Sequence, residues 1–160
     1  MKVLKMEAEV VGLMRTLKRP IHFSDDELGL RVEIMTKLFI ERIDSNSLKA
    51  GLPASSFGKE TKDKIGGLKT LQLWLDKRIS LGDAAQVMSA LFVLYDLRIA
   101  YKHLLSASAM EETFKTCKSR LNLGADASLK DVYLTLISAL EKSFKEFSQA
   151  AEKFYRDAVP

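Results

Sequence analysis

A single cysteine, Cys117, stands in a chain of 160 residues, which excludes an intramolecular disulfide. Histidines number only two, so one chain has too few soft ligands for a tetrahedral metal site, and no metal or cofactor is expected. A reducing, cytoplasmic setting is the expected location. Long apolar runs are missing too. No window approaches the ~20 apolar residues of a membrane span. The opening MKVLKMEAEVVGLMRTLKR alternates charged with apolar residues where a secretory signal peptide has an unbroken apolar core, so neither secretion by that route nor a membrane anchor is expected. Like charges never form a block of five, and 25 basic against 21 acidic residues leave a net charge of +4. That modest excess permits an RNA or nucleotide partner without requiring one, and the clusters at Lys18-Arg19, 59–64 and 115–120 read as solvated helix faces. Neither GxSxG, HExxH nor paired cysteines occur, so acyl-transfer and metal-hydrolase chemistry lack support. The Gly66-Gly67 pair lacks the spacing of a P-loop or dinucleotide fingerprint.

What remains is helical pattern. With 47% hydrophobic residues the chain can bury a proper core, and it reads as one helical domain over 1–160 with an N-terminal helical segment at 1–22. Val3, Leu4, Val10, Val11, Leu13, Met14 and Leu17 predict a first helix closed by Pro20. Ser24-Asp25-Asp26-Glu27 forms a capping box, the serine oxygen accepting the third amide while the glutamate reaches back to the first. It opens a helix over 25–43 with one stripe at Leu28, Val32, Met35, Phe39 and Ile43, ended by Asp44-Ser45-Asn46-Ser47. Residues 45–60 hold Gly51, Pro53, Ser55, Ser56 and Gly58 and predict the longest loop. A helical pattern over 61–78 becomes firm at Leu68, after the glycine pair. From Ala84 to Leu104 apolar residues lie almost all round the helix, which places it in the centre of a bundle. A shorter helix at 109–121 follows. Ser128 to Asp131 then caps a last helix whose seam, Leu129, Val132, Leu136, Leu140, Phe144, Phe147, Ala151 and Phe154, spans some seven turns. No segment alternates at period two and no internal repeat is present, so the predicted class is all-α: an up-and-down bundle of four or five main helices. Trp74, Cys117 and the methionines read as core filling, and His22 as a loop residue. Phe144, Phe147, Phe154 and Tyr155 suit either self-association or packing within one chain.

Within the central helix, the stretch 94–104 reads LYDLRIAYKHL and sets Arg98 and His103 into an otherwise apolar run. Burying such groups among leucines costs several kcal/mol unless a partner or a task compensates. Arginine is always charged and presents a planar fork that matches a phosphate, while histidine titrates near neutrality and can pass protons. The pair suits cleavage of RNA in which the 2′-hydroxyl attacks and the protein supplies an acid/base and a cation. Five residues turn an ideal helix about 140° past one revolution, so the two side chains point to different faces unless the helix frays near Tyr101 or a second subunit contributes its own pair.

This pattern, an arginine, four residues and a histidine at the end of an apolar helix in a small helical protein, resembles the R-x(four to six)-H signature of HEPN domains; the resemblance covers roughly 25–157, and the bundle at 24–157 would be HEPN-like. It implies a metal-independent endoribonuclease, toxin-like or defence-related, acting as a homodimer on single-stranded RNA with a composite site at the dimer interface. It also implies His103 as acid/base and Arg98 as the phosphate-contacting cation, and partners such as a cognate antitoxin or a larger host protein. Tyr101 and Lys102 lie inside the motif as candidate substrate-binding groups. One departure stands out: many catalytic members carry a polar residue directly after the arginine, and here that residue is Ile99, which cannot hydrogen-bond substrate. The second expectation is therefore a noncatalytic HEPN-like module for dimerisation, nucleotide or RNA binding, or partner binding. On a plainer reading, Arg98 pairs with Asp96, Glu111 or Glu112 and His103 favours the helix dipole.

Overall fold

In a computed structural model of the chain, residues 9–57, 64–79, 83–102 and 106–158 are described. The helices are α1 (Glu9–Thr16), α2 (Asp25–Phe39), α3 (Ser45–Ala50), α4 (Gly67–Trp74), α5 (Ala84–Lys102), α6 (Ala107–Arg120) and α7 (Leu129–Ala158). No β-strand occurs among the described residues, and the fold is an all-α helical bundle. None of its described helices is long and apolar enough to cross a membrane.

Short polar side chains start several of these helices. Ser24 caps α2 through the Glu27 amide at 3.3 Å, Asp44 caps α3 through the Ser47 amide at 3.2 Å, and Ser106 caps α6 through the Ala109 amide at 3.3 Å. At α7 the box is reciprocal: Ser128 Oγ accepts the Asp131 amide at 3.2 Å and Asp131 Oδ2 accepts the Ser128 amide at 2.9 Å. Bonds from the Ser128 hydroxyl and then its amide hold the Asp131 carboxyl below the usual carboxylate range. The box predicted at α2 is only half made. Glu27 passes over Ser24 and accepts the amides of Ile21, His22 and Phe23 at 3.4, 2.8 and 2.9 Å, fastening the incoming chain while Phe23 takes a left-handed φ of 53°.

Helix α5 runs through the middle. It packs on α2, α4, α6 and α7, and Met88, Leu91, Val93, Leu94 and Leu97 are each at most 1% exposed. Burying a leucine contributes about 1.5–3 kcal/mol, so this one helix supplies much of the apolar drive to fold. The predicted α2 stripe is buried at Leu28, Val32, Met35 and Ile43 and partly buried at Phe39. Helix α7 buries Val132, Leu136 and Leu140 and then carries a line of aromatic contacts. Phe144 meets Phe39 at 4.8 Å and Phe147 at 5.9 Å between ring centroids, and Phe154 meets Trp74 at 6.3 Å. These three phenylalanines thus pack within the chain; the side chain of Tyr155 lies outside the described residues.

Several predicted boundaries move. The first helix is described only from Glu9, and 1–8 lie outside the described residues. Helix α2 stops at Phe39, where the amides of Ile40 and Glu41 converge on the Thr36 carbonyl at 2.9 and 3.0 Å. The predicted long loop at 45–60 instead holds α3 and a 3₁₀ turn at Ala54–Phe57, anchored by buried Leu48 and Phe57. Past Trp74 the chain widens into one π-helical turn at Leu75–Ile79. Met35 and Met88 fill the core as expected, whereas Met14 and Met110 are 62% and 38% exposed.

Candidate functional site

Three of the four candidate residues can be placed. Arg98, Tyr101 and Lys102 stand on the last turn and a half of α5, whereas His103 lies outside the described residues. Each of the three turns to an acid from the α2 segment. Arg98 Nη2 is 2.7 Å from Glu41 Oε1, Lys102 Nζ is 2.6 Å from Glu33 Oε2, and the Tyr101 hydroxyl donates to Asp25 Oδ1 at 3.3 Å. From Arg98 to Lys102 the ion-pair partners step back from Glu41 to Glu33, so α2 and α5 run antiparallel and the polar pairs seal the edge of their apolar contact. The acids expected to pair with Arg98 do other work or stand elsewhere: Asp96 accepts from Arg120 Nη1 at 2.5 Å, and neither Glu111 nor Glu112 contacts the guanidinium.

Side-chain exposure of 35% for Arg98 and 41% for Glu41 keeps that pair at the surface. Tyr101 is held more firmly. Its ring packs edge-on to Phe114 at 5.5 Å, and the Cβ of any larger residue at Gly29 would lie 3.3 Å from its ring carbons. Burial, then the Asp25 charge and hydrogen bond, push the Tyr101 hydroxyl well above its ordinary pKa, so it is protonated at any physiological pH. The Lys102 ammonium lowers the Glu33 carboxyl, against a smaller opposing effect of burial. A shallow depression of about 260 Å³ beside these groups is lined by Asp25, Asp26, Gly29, Leu30, Glu33, Tyr101 and Lys102. Three carboxylates face one ammonium there. That depression itself is therefore unfavourable to an approaching phosphate.

No family model, curated protein or solved structure matches the chain.

Among the described residues, no group of three or more His, Cys, Asp or Glu is placed to hold a metal. Ile99 is half-buried and Cys117 is fully buried against the Val93 carbonyl, where burial and then the Asp96 charge push its thiol up to about 12. Residues that periodicity did not single out carry the site: Asp25, Glu33 and Glu41. Their signal was an acid recurring about every two turns along the segment whose other face is the α2 stripe.

Proposed function

We propose that this chain is a HEPN-like helical module that acts by binding rather than by cleaving, with its motif arginine serving the fold. The observation that carries this reading is the Arg98–Glu41 pair at 2.7 Å, repeated in kind by Lys102–Glu33 and Tyr101–Asp25. A cation that stabilises a scissile phosphate needs a free fork of donors and a positive field, and here one arm of the fork is held by Glu41, just past the end of α2. Ile99 fits the same reading, since it offers no polar group to a substrate. The HEPN resemblance itself rests on the LYDLRIAYKHL stretch at 94–104 together with the all-α bundle in which residues 94–102 lie at the end of the described central helix.

A second reading, the metal-independent endoribonuclease with Arg98 and His103 at a dimer interface, is favoured by one feature. The Arg98–Glu41 pair is half-exposed, and pairs of that kind are worth at most about 1 kcal/mol, so RNA carried by a partner subunit could draw the guanidinium away. A single assay decides between them: cleavage of single-stranded RNA in EDTA by the wild-type chain, His103→Ala and Arg98→Ala. Binding without cleavage above the background of the two variants is expected, and wild-type cleavage abolished by both substitutions would overturn the noncatalytic reading.

A further inference from the structure

A second cluster of cations lies where the chain enters α2 and α7 begins. Phe23, strained at φ 53°, packs edge-on against Tyr133 with ring centroids 5.8 Å apart. The Arg19 guanidinium carbon stands 5.8 Å from the centre of the Phe23 ring, and Lys130 Nζ stands 6.0 Å from it. Lys130 and Tyr133 are three residues apart on α7 and so share a face. Arg31 joins them from α2, its Nη1 donating to the Thr16 carbonyl at 3.4 Å.

Three features set this cluster apart from the pairs along α5. First, no carboxylate among the described residues forms an ion pair with Arg19, Arg31 or Lys130. The nearby acids are engaged elsewhere: Glu27 holds the amides of 21–23, Asp131 holds Ser128, Asp25 takes Tyr101, and Asp26 lines the depression beside Tyr101. Second, Tyr133 is only 7% exposed overall, and its hydroxyl, which makes no hydrogen bond to any described residue, reaches solvent. Burial raises its pKa, and the charges of Arg31 and Arg19 oppose that rise. Third, Arg31 Nε is a buried donor without a partner. The exposed Arg19 and Lys130 at the Phe23 ring, with the neighbouring Tyr133 phenol, offer donors that complement an oxyanion, and the unpartnered Arg31 Nε leaves that guanidinium incompletely neutralised behind them.

We infer that Arg19, Lys130 and the Tyr133 hydroxyl form a binding site for a phosphate group, with Phe23 as its floor. The inference does not depend on whether Arg98 and His103 cleave RNA. Two sources share this chemistry, a free phosphate or phosphate monoester and the backbone of single-stranded RNA. Asp25, two residues after Phe23, binds Tyr101, so the site lies at the end of the bundle where α5 finishes.

The test uses the full chain. Sodium phosphate is titrated while backbone amides are followed by NMR, and a labelled single-stranded RNA of about ten nucleotides is titrated by fluorescence anisotropy. The double variant Arg19→Gln/Lys130→Gln is compared with Lys142→Gln. Both altered residues of the double variant are exposed, so folding is preserved. Amide shifts centred on 19–23 and 130–133, and binding weakened roughly tenfold or more in the double variant but not in the control, are expected. RNA binding that phosphate displaces identifies the backbone as the source; saturable phosphate binding with no tighter RNA binding identifies a small phosphate. An unperturbed cluster with both probes, or a double variant that binds like wild type, overturns the site.

Discussion

The Arg98 guanidinium meets the Glu41 carboxylate at 2.7 Å across the seam between α5 and the turn that follows α2. Both side chains are about two-fifths exposed or somewhat less, so solvent screens the pair. In a double-mutant cycle of Arg98→Ala and Glu41→Ala, measured by urea unfolding, the coupling is expected to be about 1 kcal/mol or less. A coupling of about 3 kcal/mol or more would mean a desolvated pair and a much more rigid motif than the exposure implies.

Acid should loosen the same seam. Glu33 is depressed by Lys102, so its stabilising effect is fully present above the ordinary glutamate range and is lost as pH falls through its lowered folded-state value. Urea midpoints measured from neutrality downward should therefore decline in that window, and Glu33→Gln should flatten that decline. An unchanged acid limb in the variant would remove Glu33 from the account.

Cys117 should be chemically silent in the native chain. It has no solvent exposure and a thiol pushed up to about 12, so thiolate is scarce at pH 8. Iodoacetamide is expected to leave the folded protein unmodified over the time in which it fully labels the chain in urea, read by mass spectrometry. Fast native labelling would show that α6 opens readily from Val93.

Leu94 tests the centre of the bundle. Its side chain is 0% exposed, and Leu94→Ala should cost about 2–5 kcal/mol, lowering Tm by roughly 2–4 °C for each kcal/mol. The exposed neighbour Tyr95, changed to alanine, should cost a small fraction of that. Equal losses at the two positions would displace α5 from the core.

The parts legible in sequence were those governed by local chemistry. The apolar run over 84–104 predicts a central helix, and α5 is packed against α2, α4, α6 and α7 with only Ala85, Gln86, Tyr95 and Lys102 exposed along it. Ser128 and Asp131 lie within one turn, so their box could be read directly. The segment at 45–60 was misread because Ser, Asn and Asp serve turns and N-caps alike; Asp44 starts α3, and it is the long-range burial of Leu48 that makes that short helix worthwhile. Glu27 was expected to bond Ser24, its local partner in the box, yet three amides exposed by the left-handed Phe23 were the stronger attraction. Arg98 stands out in sequence, but its partner is 57 positions earlier, and no periodicity reveals which distant acid a helix end will meet. The cluster around Phe23 draws on positions from 19 to 133 and exists only once α2 and α7 are side by side.

Helix α7 has 30 residues against 19 for α5, so at about 1.5 Å per residue it outruns its central neighbour by some 16 Å. Its distal turns are fastened where Phe154 rests on Trp74, the only indole in the chain and just 5% exposed. Tryptophan emission is thereby an intrinsic gauge of that far end: a red shift preceding the loss of helical circular dichroism would report the overhang peeling away while the rest of the molecule stays folded.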